Sequence, residues 1–235
     1  MAAKPAYWYS VRVLQKSNLA AAPLTVNNDR KSVVKFLEPP FMTFDLAMLM
    51  RKRHKKSDIQ SILDLNKPKT KYVYGVVAGG STYNFFEKYN QTYIKAQLQA
   101  ADRARSLPRT VAEGVQRVRD SSDGHPYVFI GEQYMLEYHA SQKPCDLVLV
   151  KGDATIMNGE YHLAVKKQNG DQSFVDELEA ALTQLKDTKR LEPLYKKWWK
   201  DRSQCSRAPS STAVASGTAI LVPMLLAALM RVSGE

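Results

Sequence analysis

The sequence is short of the residues from which metal centres and covalent catalysts are built. Its four histidines, His54, His125, His139 and His162, are scattered through 235 residues, and none stands at metal-ligand spacing from a cysteine or another histidine. Two cysteines, Cys145 and Cys205, leave two states open, a pair of buried thiols or one disulfide. No nucleophile has a base paired with it, so the chain reads as a binder and not an enzyme, with no cofactor implied. The opening MAAKPAYWYSVRVLQ lacks the apolar core of a signal peptide. No internal repeat is present. Before residue 213 no apolar run is long enough to cross a bilayer.

Acidic residues are in deficit as well, 23 against 34 Lys and Arg, giving a formal charge of +11. Such an excess fits nucleic acid, acidic lipid, an anionic ligand or simply a solvated basic surface. Its densest run is Arg51 to Lys56, RKRHKK. As a bare motif it resembles a nuclear-localisation or phosphate-binding patch, and a solvated connecting loop is the plainer reading. No aromatic stacking platform interleaves with it, so no nucleic-acid partner is expected.

What the sequence does have is alternation. Val33–Phe36, Tyr72–Val77, Tyr127–Ile130, Leu147–Val150 and Tyr161–Val165 read as strands, rich in β-branched and aromatic residues. Helical stretches lie between them. Thr110 precedes Glu113 by three residues, a capping box, and Val111, Val115 and Val118 follow on one face. Ser173 and Asp176 open another helix with Val175, Leu178, Leu182 and Leu185 as its stripe. The pattern predicts an α/β fold with largely parallel sheets. Beyond a Ser/Pro linker, 206–211, the run Ala213–Met230 is apolar apart from Ser216 and Thr218, contains Pro223 and is followed by Arg231. A single C-terminal spanning helix is the first expectation, and a lipid-anchor signal the second.

Three segments offer complementary charge. Gly79-Gly80-Ser81-Thr82 follows a strand and leads into a helix at Tyr83. Glycines let the backbone approach a ligand, and the helix-start N–H groups with the two hydroxyls make an anion site. A plain helix cap is the alternative. Pro23 has a free carbonyl that can accept from an ammonium, Thr25 lies two residues on, and Arg30 can hold a carboxylate by two parallel hydrogen bonds. Taken alone, Arg30 is as well explained by surface exposure. Glu132 can pair with an ammonium, or serve only as an acid favoured at a helix N-terminus. Together the three supply a cationic fork, an anion nest and a carboxylate. That is the complement of a zwitterionic amino acid with a second acidic group.

The order of these elements resembles the ligand-binding core of ionotropic glutamate receptors, nearest the AMPA and kainate classes. APLTVNNDR (Ala22–Arg30) looks like the family's first-lobe ligand strip, and PFMT (Pro40–Thr43) follows it. GGSTYNFF (Gly79–Phe86) looks like the second-lobe anion site, and TVAEGVQRVRDS (Thr110–Ser121) is similar to a family helix. KPCD (Lys143–Asp146) and KKWWKDRSQC (Lys196–Cys205) resemble its two disulfide segments. The likeness covers roughly Trp8 to Cys205.

The resemblance implies a two-lobed, periplasmic-binding-protein-like α/β clamshell. Residues 1–56 would be a partial lobe one, 57–165 lobe two, 166–205 a return to lobe one, and 206–235 a linker and apolar tail. Arg30 would bind the ligand α-carboxylate, the Pro23 carbonyl and Glu132 the amine, with Thr25 a side-chain contact. Ser81 and Thr82 would hold the distal carboxylate. Cys145 and Cys205 would form the family disulfide, and the sequon at Asn90 fits glycosylation of a secreted surface. L-glutamate or a related amino acid, other glutamate receptor subunits and a membrane are the implied partners, with the core outside the plasma membrane. The family's first-lobe beginning has no counterpart before Tyr7. Its three membrane segments have none between Met50 and Ile59, so this chain is expected to conduct no ions alone.

Overall fold

A computed structural model describes residues 17–56, 59–68, 70–89, 92–151, 158–167 and 172–205. The Asn90 sequon, the 206–211 linker and the apolar run 213–230 lie outside these residues. Among those described, no helix is long and apolar enough to cross a membrane.

The centre of the fold is β3, Met42–Arg51. Its apolar run Leu46–Met50 has almost no solvent exposure, because both faces of the strand are covered. Leu46, Met48 and Met50 point into one core with Val76, Val128 and Ile130. Ala47 and Leu49 point into another with Val115, Val118, Phe129 and Leu136. A strand buried on both sides reads as continuous apolar sequence and hides the usual alternation.

β3 divides the sheet into two sections. Its first residues, Met42–Asp45, pair with β7, Asn158–Lys166. β7 also takes β1, Leu19–Thr25, and β2, Val34–Phe36, so residues 158–165 sit with this first section. The remainder of β3 pairs with β5, Tyr127–Glu132, and β6, Leu147–Lys151. β5 in turn carries β4, Val73–Gly75. Only β4 and β5 run parallel among the described pairs, and the other five pairings are antiparallel. The expectation of largely parallel sheets is therefore corrected. The long strands β3 and β7 lie beside each other as an antiparallel pair, and alternating strand and helix sequence does not reveal this.

Helices follow the local signals. α1, Asn28–Val33, is capped by Asn27, whose Oδ1 accepts from the Arg30 N–H at 2.8 Å. α2, Ser81–Lys88, starts two residues before the expected Tyr83, and α3, Thr92–Arg103, packs beside it. α4, Val111–Asp120, has the expected Thr110 cap, accepting from the Glu113 N–H at 3.1 Å. The Glu113 carboxylate reaches the Arg109 N–H at 2.8 Å, one residue further back than a capping box requires. α4 lies close on the sheet because of Gly114: a Cβ there would meet the Phe129 ring at 2.4 Å. α5, Gln133–Ala140, leads towards the Cys145 loop. α6, Gln172–Asp187, buries Val175 and Leu182 of its expected stripe, while Leu185 is 39% exposed. α7, Leu191–Tyr195, continues into a π turn at Lys196–Lys200.

Three residues of the basic run, Arg51, Arg53 and His54, are engaged within the fold. Arg51 donates to the Arg119 carbonyl at 2.7 Å, and Arg53 pairs with Asp123 at 2.9 Å. His54 is buried, its ring 2.8 Å from the same carboxylate. Hydrogen bonding to His54, then the Arg53 charge, holds the Asp123 carboxyl below its ordinary range. Lys52, Lys55 and Lys56 remain exposed. Cys145 and Cys205 are joined as a disulfide, with Cα atoms 5.3 Å apart.

Candidate functional site

Pro23 and Thr25 lie on the last part of β1. Registration against β7 slips between Ala20 and Leu24, a place where a residue without an N–H costs the ladder little. The chain then turns through the Asn27 cap, which sets Arg30 in the first turn of α1. Its side chain folds back, and Nη1 donates to the Thr25 carbonyl at 2.6 Å. Arg30 as a residue is 9% exposed, and its buried Nε has no hydrogen-bond partner among the described residues. Burial lowers the Arg30 pKa from its ordinary value, and the nearby Glu132 charge opposes the shift. Arginine starts so high that it stays cationic. A buried donor without a partner carries a desolvation cost of about 1–3 kcal/mol, which a carboxylate at that position would offset.

The second side is the turn from β4 into α2. Gly79 has φ 64°, a left-handed conformation that suits glycine. Gly80 caps α2 without any side-chain hydrogen bond, so the first turn of the helix directs its N–H groups outward. Ser81 and Thr82 are its first two residues, and Thr82 is buried.

The third side is Glu132, at the end of β5 where α5 begins. β5 pairs Glu132 with Leu46 on the central strand, which fixes its position. Its carboxylate accepts three hydroxyls: Thr25 at 3.0 Å and Ser81 at 3.0 Å on Oε1, and Tyr161 at 2.6 Å on Oε2. Burial, followed by the Glu132 charge, pushes the Tyr161 hydroxyl far above its ordinary pKa. Tyr161 therefore remains a neutral donor. Its ring stacks on Phe44, with centroids 4.3 Å apart.

All six candidate ligand residues, Pro23, Thr25, Arg30, Ser81, Thr82 and Glu132, line one cavity of about 180 Å³. Segments separated by more than a hundred residues thus converge, and Glu132 bridges a hydroxyl from β1 to one from α2. Val77, Val111, Phe129, Ile130, Met135 and Leu136 supply the apolar walls. A second, apolar cavity of about 350 Å³ shares Pro23 and Met135 with the first. Tyr161 was missed in the sequence, where it reads only as a strand residue. Its role follows from its register opposite Thr25 and Met42, which no local signal contains. Among the described residues no cluster of His, Cys, Asp and Glu is arranged to hold a metal ion.

Residues 13–201 match the family described as bacterial extracellular solute-binding proteins, family 3. The chain is 31% identical over 166 residues to glutamate receptor 3 of Homo sapiens, covering 69% of this chain and 18% of that protein. It is likewise 31% identical over 173 residues to glutamate receptor 3 of Mus musculus, covering 72% of this chain and 18% of that protein. The chain therefore spans about a fifth of the length of these relatives. It belongs to the family 3 extracellular solute-binding proteins, and its domain is of the ionotropic glutamate receptor ligand-binding type.

Proposed function

We propose that this member of the family 3 solute-binding proteins binds L-glutamate, or an amino acid closely like it, between the two sections of its sheet. The observation that carries this reading is the buried Arg30 guanidinium, with an unpartnered Nε on the wall of a cavity it shares with Glu132 and the start of α2. The ligand α-carboxylate takes the Arg30 fork, a charge-assisted and bidentate contact. The ammonium goes to the Pro23 carbonyl and the Glu132 carboxylate, displacing the Thr25 or Ser81 hydroxyl from Oε1. Those hydroxyls then turn to the ligand, Ser81 and Thr82 meeting the distal carboxylate at the positive end of α2.

The two sections act as lobes, and ligand contacts made only when they are closed shift the population to the closed form. The work is recognition and not catalysis. In this reading the domain stands outside the plasma membrane, where its disulfide is stable. A membrane-tethered amino-acid binder without a channel partner is the second reading, favoured by the apolar run 213–230. Binding of nucleic acid through Arg51–Lys56 is disfavoured, since Arg51, Arg53 and His54 are engaged within the fold.

Calorimetric titration of the intact chain with L-glutamate tests the proposal. A saturable, one-site isotherm that persists at moderate salt is expected. Absence of saturable amino-acid binding, together with steeply salt-dependent binding of polyanions, would replace the reading.

A further inference from the structure

The amino-acid site leaves the larger of the two cavities unused. Its walls carry four aromatic rings, those of Phe41, Tyr134, Tyr161 and Trp199. Two of their polar tips are engaged: the Tyr161 hydroxyl donates to Glu132 at 2.6 Å, and Trp199 Nε1 donates to the Tyr134 carbonyl at 2.7 Å. No charged residue is found among its described walls. A charged group placed there would be desolvated without a partner, so the chemistry the cavity recognises is uncharged and apolar.

The rings are fixed by their neighbours. Tyr161 stacks on Phe44 with centroids 4.3 Å apart, and on Phe41 at 6.1 Å. Trp199 stacks on Tyr195 at 5.6 Å, and Tyr134 meets Tyr195 and Trp199 edge-on at 5.3 and 6.1 Å. Yet Phe41, Tyr134 and Trp199 are only half-buried. Aromatic faces that are held in place but incompletely covered favour a further ring, stacked with an offset or edge-to-face. The volume is about 350 Å³, and an apolar cavity of roughly 150 Å³ already takes benzene.

This cavity is continuous with the amino-acid site. Pro23 and Met135 line both, and the Tyr161 hydroxyl joins its wall to the Glu132 carboxylate. A ring packed against Met135 and Tyr161 would order the walls from which the amino acid is held, and ordering done by one ligand need not be repeated for the other.

We propose that this cavity is a second binding site, that it takes an uncharged aromatic molecule of one or two rings, and that this molecule and the amino acid strengthen each other's binding. The mutual strengthening rests on the amino-acid reading, whereas the site itself does not.

Indole, uncharged and two-ringed, is the probe. Calorimetric titration of the intact chain with indole alone should give a saturable, one-site isotherm. Saturating L-glutamate should tighten indole binding about fivefold or more, and saturating indole should tighten L-glutamate binding by the same factor, because a coupling free energy is reciprocal. Ala21 is exposed on β1 and lines this cavity but not the first. Ala21→Phe adds a ring there and should weaken indole about tenfold or more. Phe41→Ala removes one wall and should weaken it by about two- to tenfold. A denaturant midpoint close to native in either variant assigns the loss to the site and not to unfolding. No saturable heat from indole overturns the proposal, as does native indole affinity in both variants. Two ligands that both bind with independent affinities overturn it too. If indole binds and Ala21→Phe weakens it while L-glutamate does not bind at all, the site stands and the amino-acid reading falls. A native chain that takes no indole but sediments as a dimer, disrupted by Ala21→Phe, would assign the cavity to a second copy of this chain.

Discussion

Arg30→Lys separates a ligand anchor from a structural cation. The native guanidinium is buried, bonded through Nη1 to Thr25 and unpartnered at Nε. A carboxylate arriving at the cavity gains two parallel hydrogen bonds from one planar group. Lysine keeps the charge but concentrates it on a single rotatable ammonium, so the fork is lost. Leaving a buried carboxylate without its proper partner costs about 3–5 kcal/mol, which is about two to four decades in Kd. The ligand-free protein should change far less, because native Arg30 already leaves one donor unsatisfied. The expected signature is therefore a large loss of L-glutamate affinity by titration calorimetry, with a denaturant midpoint close to that of the native chain. If Arg30→Lys binds L-glutamate as well as the native protein, the guanidinium is structural and the assignment fails. If affinity and stability fall together by similar free energies, the loss reflects damage to the β1–α1 corner.

The disulfide joins residues 60 apart, and in the chain-entropy model such a loop is worth about 4 kcal/mol. The double variant Cys145→Ser, Cys205→Ser should lose stability of that order in urea unfolding, and an unchanged midpoint would contradict it. Gly114→Ala should lower stability by about 1–3 kcal/mol through overpacking, since the new methyl meets the Phe129 ring. A thermal midpoint equal to the native value would show that α4 can move away freely. His139 has a pKa held below its ordinary 6.5, first by burial and then by the Arg119 charge. The unfolded chain therefore binds the proton first, and the corresponding stability is present above pH 6.5 and lost as pH falls through the folded value. Replacing His139 with Gln should flatten that part of the stability profile, and a profile unchanged between pH 5 and 7 would reject the assignment.

The parts of the fold legible in sequence were those governed by neighbours along the chain. The Thr110 cap, the Val115 and Val118 stripe and the cores of β4 to β7 needed only local periodicity and propensity. β1 was read as a ligand strip and not as a strand. Its Ala-Ala-Ala-Pro composition has little strand propensity, and pairing with β7 holds it extended. Strand direction was misread because the β3–β7 pairing joins residues more than a hundred positions apart. Leu185 shows the limit of periodicity: it falls on the expected stripe but remains exposed near the end of α6. The six candidate ligand residues were named from charge complementarity and family likeness, and they share one cavity. Tyr161 was out of reach, because only its opposite-strand neighbours bring its hydroxyl to Glu132.

A structure of the intact chain determined with L-glutamate tests the central claim most directly. The account predicts the ligand in the cavity between β1, α2 and the end of β5, with its α-carboxylate about 2.7–2.9 Å from Arg30 Nε. The ammonium should lie against Glu132, with the Thr25 or Ser81 hydroxyl displaced from Oε1. Glutamate bound elsewhere, or an Arg30 Nε still without a partner in a ligand-saturated protein, would contradict it.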